Sequence, residues 1–262
     1  MKKGKEGMNM NPVIVRNVRI GEGMPKICVP VVGRTRAEIR EAAKEALAAG
    51  ADMVEWRADW YDDVLEYKKV EETAGELRDI LCGTPLLFTF RTLREGGEKE
   101  IEEAAYVELN RRIAGSGYID MVDVEMFTGD GAASALVRCA HACQVKVVGS
   151  NHDFYKTPAK KEIVARLRRM QELDADILKI AVMPRSKRDV LTLLAATEEM
   201  CSEYANRPVI TMSMGGMGVI SRLCGETFGS AVTFGTAGKA SAPGQVEAGE
   251  LRRVLTLLHG SV

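Results

Sequence analysis

The chain has 262 residues, with 36 basic against 37 acidic side chains and a formal net charge of -1. So even a balance offers nothing to attract nucleic acid or an anionic membrane surface, and no apolar run approaches the roughly 20 residues of a membrane helix. Six cysteines with no apolar segment behind the lysine-rich start (Lys2, Lys3, Lys5) read as reduced thiols of a cytoplasmic protein, not as a disulfide framework.

Residues 13–20 are a short β-prone run before the turn-like Gly21-Glu-Gly23, predicted as a hairpin that plugs one end of the domain. A regular rhythm then begins. Residues 26–32 form the first strand candidate. Thr35 and Glu38 have the spacing of a capping box for the helix that follows, and Gly50 closes it. Strand two is predicted over 52–58, a helical stretch over 63–82, and strand three over 86–91. Ile101, Ala105, Leu109 and Ile113 recur every fourth residue as the stripe of the next helix.

Strand four is predicted over 119–125 and strand five over 145–151, leading into His152. Thr157-Pro158 has the pattern of a cap with proline at the first helical position. Strand six covers 176–184, and Ser186 with Asp189 opens the helix after it, which is expected to run to about residue 206. Strand seven covers 209–214, with a short helical piece at 219–223, and strand eight covers 231–235. Pro243 is expected to open a last helix with Val246, Leu251, Val254, Leu255 and Leu258 on its apolar face.

Eight strands alternating with helices, with no linker or composition break, predict parallel pairing through helical crossovers. That count in a chain of this length favours a closed (β/α)8 TIM barrel over an open doubly wound sheet. The expected organisation is one catalytic domain over 1–262, with 1–24 as an N-terminal extension and hairpin closing the bottom of the barrel.

Cys139, His141 and Cys143 invite a zinc reading, but residues two apart on a helix point to nearly opposite sides, so a packed helix face is expected instead.

The active sites of such barrels lie at the C-terminal ends of the strands. Those positions hold Glu55 and Arg57, Arg91 with Glu95 in the loop after it, Asp123 and Glu125, His152, Lys179, and Arg222 after strand seven. With Lys179 facing inward, alternation puts Ile177 and Ala181 on its side and the bulky Leu178, Ile180 and Val182 on the other. Each feature alone has a plain structural explanation. Lysines also snorkel from strand ends, charged residues often line a solvated rim, and His152 could sit in an exposed turn.

Together they are harder to dismiss. Buried unpaired charges cost several kcal/mol each, so these groups need one another or a polar ligand. Desolvation favours the neutral, nucleophilic form of a lysine, which can condense with a ketone. The iminium acidifies the neighbouring C–H, and a histidine is suited to remove that proton and return it to a leaving hydroxyl. An aldolase-like barrel shares the iminium, and a non-catalytic barrel that senses a small acid shares the pocket. Only three histidines in the chain speak against a metal hydrolase.

In order, Glu55-Trp-Arg57, Phe88-Thr-Phe-Arg91, Glu95-Gly-Gly97, His152-Asp-Phe154, Lys179-Ile-Ala-Val-Met-Pro184, Met212-Ser-Met-Gly215, Ser221-Arg222 and Ser241-Ala-Pro-Gly-Gln245 resemble type I 3-dehydroquinate dehydratases over nearly the whole chain. The resemblance implies a cytoplasmic, usually homodimeric enzyme of the shikimate pathway that needs no metal or cofactor. It would convert 3-dehydroquinate to 3-dehydroshikimate by syn elimination. Lys179 would form the Schiff base, His152 would be the general base and acid, and Glu95 would orient it. Arg222 would pair with the substrate carboxylate. Glu55, Arg57, Arg91, Ser241 and Gln245 would bind hydroxyls and ring, with Asp123 and Glu125 in support and the 241–245 loop closing over the ligand. One departure is Val29-Pro30, where some relatives carry a serine at the end of strand one.

Overall fold

The computed structural model describes residues 11–127, 129–238 and 242–261. A two-stranded antiparallel hairpin, β1 (Val13–Val15) and β2 (Val18–Ile20), comes first. Eight parallel strands follow: β3 (Lys26–Val31), β4 (Met53–Arg57), β5 (Leu86–Thr89), β6 (Met121–Glu125), β7 (Lys146–Asp153), β8 (Ile177–Val182), β9 (Val209–Ser213) and β10 (Val232–Thr236). Between them run the helices α1 (Arg36–Ala48), α2 (Tyr67–Leu81), α3 (Glu103–Gly115), α4 (Asp130–Ala142), α5 (Lys160–Glu172) and α6 (Lys187–Glu203). Two short turns of helix, α7 (Ile220–Leu223) and α8 (Gly225–Phe228), join β9 to β10. The two-residue β11 (Val246–Glu247) and α9 (Ala248–His259) complete the described elements.

The strands pair in chain order from β3 to β9, with β10 on the free side of β3. This is the predicted (β/α)8 barrel. Its seam lies between β9 and β10, where the lower edge closes through Ala231 N–H donating to the Val209 carbonyl at 2.8 Å. Ser230 adds a parallel bridge to Val209, and its hydroxyl accepts from Thr211 N at 3.1 Å. No helix among the described residues is long and apolar enough to cross a membrane.

Alternation divides the apolar side chains into two cores. Outward residues such as Val54, Trp56, Phe88, Val124, Leu178, Ile180 and Val182 pack beneath the helices. Inward residues at the strand starts, Cys28, Met53, Leu87, Met121, Val148, Ile177, Ile210 and Val232, fill the barrel floor together with Val15 and Ile20 of the hairpin. The hairpin therefore plugs the N-terminal end, as expected. Arg16 pins it there by pairing with Asp120 at 2.6 Å. Above this floor the inward positions turn largely polar, with Glu55, Arg57, Asp123, Glu125, Ser150 and Lys179 buried there.

Several local expectations change. Thr157-Pro158 does not cap α5, which starts at Lys160. Asp153 instead folds the loop by accepting from the amides of Tyr155 and Lys156, and Thr157 donates to the Met183 carbonyl. Pro243 does not open the last helix. Its carbonyl is held by Gly215 N–H at 3.2 Å, and α9 starts five residues later, with Glu247 accepting from Gly249 and Glu250. The α2 helix begins only at Tyr67, α6 ends at Glu203, and Ile101 precedes α3. At α1, Thr35 accepts from Glu38 N, but the Glu38 carboxylate takes the Arg34 amide and leaves the box half formed. At α6 the Ser186–Asp189 box closes in full.

Candidate active site

The upper barrel holds a narrow cavity of about 40 Å³ lined by Glu55, Arg57, Arg91, Glu95, Gly96, His152, Phe154, Lys179, Ala181, Met212, Met214, Arg222, Phe234, Ala242 and Gln245. Every predicted site residue that is described lines it, and the lining as a whole comes from five strands and the loops above them. Ser241 lies outside the described residues.

Lys179 rises from the middle of β8 and is 3% exposed. Its Nζ donates to Glu55 Oε1 at 3.3 Å and Asp123 Oδ2 at 3.2 Å, and sits 4.6 Å from the Phe234 ring centroid. Thr89 donates to the same Glu55 oxygen at 3.0 Å. Asp123 is thus a direct neighbour of the amine, nearer than a supporting role implies. Burial would raise its carboxyl, but Arg91, Lys179 and the Ser150 hydroxyl outweigh this and hold it below the usual carboxylate range.

The fixed charges are partitioned unevenly. Arg57 forms a two-pronged pair with Asp59, at 2.9 and 2.8 Å. Arg91 reaches Asp123 at 2.8 Å, Glu125 at 2.9 Å and Glu95 at 3.6 Å. Glu125 also accepts from the Thr92 amide and hydroxyl, so it anchors the loop after β5. Arg222 is 2% exposed, yet none of the described carboxylates pairs with it. Its guanidinium stands in the barrel seam and donates weakly to Met212 Sδ on β9, the Phe234 carbonyl on β10 and the Pro243 carbonyl. Burial pushes it down to about 10. A desolvated guanidinium fork facing a cavity suits a ligand carboxylate.

His152 lies inside β7, opposite Ala181 of β8, one inward step above the Lys179 layer. Its Nδ1 is 3.0 Å from Glu95 Oε2, which also accepts the His152 backbone N–H at 2.9 Å. Burial, with the charges of Arg91, Lys179 and Arg57, holds the imidazole well below its usual range, so it rests neutral. Burial and the neighbouring Glu125 push Glu95 up to about 7. The two share one hydrogen bond, and of the two it is Glu95 that titrates near neutrality.

Glu95 is placed by the glycines behind it. Gly96 has φ +83°, and a Cβ there would lie 2.3 Å from the Phe154 ring. At Gly97 a Cβ would lie 1.9 Å from the Arg91 carbonyl oxygen, a backbone atom that cannot step aside. Gly97→Ala is therefore expected to cost about 1–3 kcal/mol and to displace Glu95. Thermal denaturation and kcat together check this, and an unchanged pair of values would contradict it.

Sequence reasoning missed several participants. Asp59 is wholly buried and accepts Arg57, Arg91 N and Glu98 N. The signal was there, since it sits two residues beyond Arg57 at a strand end. Phe234, Thr89 and Ser150 are inward by alternation and could have been read the same way. Asn151, which donates to Glu95, points outward and could not. The Cys139-His141-Cys143 stretch gathers no metal cluster among the described residues; His141 pairs with Asp176 at 2.8 Å.

Comparison with known proteins agrees with this geometry. The family described as type I 3-dehydroquinase matches residues 27–262. The chain is 58% identical to a 3-dehydroquinate dehydratase of Listeria monocytogenes over 250 residues, covering 95% of this chain and 99% of that protein. A crystal structure of the type I 3-dehydroquinate dehydratase of Clostridium difficile, with covalently modified comenic acid, superposes with a TM-score of 0.94 at 55% identity, covering 97% of this chain and 100% of that one. The 3-dehydroquinate dehydratase of Geobacillus kaustophilus superposes with a TM-score of 0.94 at 42% identity, covering 97% and 98%.

Proposed function

This chain belongs to the type I 3-dehydroquinase family, and from that membership we propose how it dehydrates 3-dehydroquinate to 3-dehydroshikimate, a step of the shikimate pathway: by syn elimination through a Schiff base on Lys179. The observation that carries the reading is the pairing of a buried amine and a neutral imidazole on adjacent strands, in one cavity with an arginine that none of the described carboxylates satisfies.

Glu55 lies within hydrogen-bond reach of Lys179 and can take the proton that the amine must lose, while Asp123, held below the usual range, stays charged beside the developing iminium. The amine adds to the ketone carbon, and loss of water gives the iminium. His152 Nε2, left bare because Nδ1 faces Glu95, removes the neighbouring proton to give an enamine. The imidazolium then protonates the departing hydroxyl, and hydrolysis of the conjugated iminium frees the product and the amine. A narrow, largely buried cavity keeps bulk water from hydrolysing the iminium early.

Arg222 binds the substrate carboxylate. Glu55, Arg57, Arg91, Ser241 and Gln245 bind hydroxyls and ring, the arginines already braced by carboxylates. The described loop from Ala242 to Gln245, with Pro243 held against Gly215, closes over the ligand. The enzyme works as a cytoplasmic homodimer, with residues 1–262 as one catalytic domain.

A direct assay of 3-dehydroquinate dehydration in the presence of a chelator tests this reading. Turnover is expected, and silence would leave a binding protein. Arg222→Met is expected to lose about 2–5 kcal/mol of transition-state binding, roughly 30- to 5,000-fold in kcat/KM, mostly through KM. An unchanged KM would remove Arg222 from the carboxylate.

A further inference from the structure

We propose that Arg166 and Asn151, neither of which lines the cavity, form an orientation lock that fixes Glu95 and, through it, the proton-bearing nitrogen of His152. The proposal rests on His152 acting as the base, and it adds two positioning residues to that mechanism.

Asn151 faces away from the barrel axis in β7, yet it is 8% exposed and both ends of its amide are engaged. Its Oδ1 accepts from Arg166 Nη1 at 2.9 Å, and its Nδ2 donates to Glu95 Oε1 at 3.0 Å. A guanidinium has donors only, and an ionised carboxylate has acceptors only. Flipping the amide would set donor against donor and acceptor against acceptor, losing both bonds. Arg166 therefore dictates which end of Asn151 meets Glu95. Arg166 is itself held by Glu162 one turn earlier on α5 and by Asp153 at 3.9 Å.

With Oε1 so tethered, Glu95 presents Oε2 to the backbone N–H and Nδ1 of His152. Nδ1 then carries the hydrogen, and Nε2 is the bare nitrogen turned to the substrate. The other charges facing the pair are Arg91 from β5, Glu125 from β6, Arg57 from β4 and Lys179 from β8. Arg91, at 3.6 Å, is too distant to orient Glu95 alone. The Asn151 bond favours the charged carboxylate, against the burial and the Glu125 charge that raise it. Without that bond, Glu95 takes up its proton at higher pH, and the acid limb of activity moves up.

The test compares Asn151→Leu, Arg166→Met and Arg166→Lys with the wild-type enzyme. Asn151→Leu is expected to lower kcat about tenfold or more with KM nearly unchanged, and to raise the acid limb of the kcat profile by about one pH unit. Borohydride with 3-dehydroquinate should still trap Lys179. Arg166→Met should shift the limb the same way by less, and Arg166→Lys, whose ammonium also only donates, should restore it. A limb that stays put while kcat falls, or an Arg166→Lys enzyme as impaired as Arg166→Met, would overturn the lock and leave only packing. The Arg166 pair decides the matter if Asn151→Leu does not fold. Nitrogen chemical shifts of the His152 ring give a readout that needs no turnover. Wild type should show Nδ1 protonated and Asn151→Leu a tautomer mixture, whereas Nε2 protonation in wild type would overturn the proposal. An enzyme that failed to dehydrate 3-dehydroquinate would still report this tautomer, so the two readings fail separately.

Discussion

Lys179→Met is expected to lower kcat by at least ~10⁴-fold, because no other described group lining the cavity can supply the iminium. The described residues leave no substitute: the remaining cations lining the cavity are guanidiniums, which stay protonated and cannot condense with a ketone. The substitution also has a structural consequence. Asp123 keeps Arg91, but Glu55 keeps only the Thr89 hydroxyl as a described hydrogen-bond partner, with the Arg57 charge near it. A buried carboxylate that loses its direct ion pair can cost up to about 3–5 kcal/mol, so the melting temperature should fall, and kcat must be measured well below it. Residual activity within about a hundredfold of wild type, in folded protein, would remove the covalent step from the mechanism.

His152→Ala should lose about 10²–10⁴-fold in kcat, the usual worth of a positioned acid–base group. Here the imine still forms, so the variant should accumulate trappable adduct while product release collapses. The pH dependence separates this from a general disturbance. On the proposed mechanism the base is competent when Glu95 is ionised and accepts the hydrogen on His152 Nδ1. Burial and Glu125 hold Glu95 up to about 7, so activity is present above that value and is lost as pH falls through it. In His152→Ala the residual rate should lack the limb that reports proton removal by imidazole. Near-normal turnover by this variant would take the histidine out of its assigned role.

Much of the barrel was legible because a parallel strand buried on both faces reads as a short apolar run, and its alternation names its inward side. Leu178, Ile180 and Val182 pack under the helices and Lys179 faces the cavity, as alternation requires. Local capping at Ser186 was also readable, since both partners lie within one turn. The failures come where tertiary contacts override local pattern. Pro243 has the look of a helix start, but Gly215 captures its carbonyl and the loop runs on to Glu247. Thr157 has the look of a cap, but the Met183 carbonyl claims its hydroxyl.

The site residues were legible as a list and illegible as pairs. Counting charges put Arg57, Arg91, Lys179 and Arg222 against four carboxylates and left out Asp59. With Asp59 taking Arg57, and Arg91 spread over three acids, the arginine left for a ligand is Arg222. That partition depends on which loops fold over which strand ends. Asn151 makes the same point, since an outward residue meets Glu95 only because the loop after β5 crosses the top of β7.

The central claim is the covalent bond between Lys179 and substrate. Borohydride added during turnover of 3-dehydroquinate, followed by peptide mapping by mass spectrometry, reads that bond directly. The account predicts one reduced adduct per chain, on Lys179. Turnover with no adduct, or an adduct on any other lysine, would contradict it.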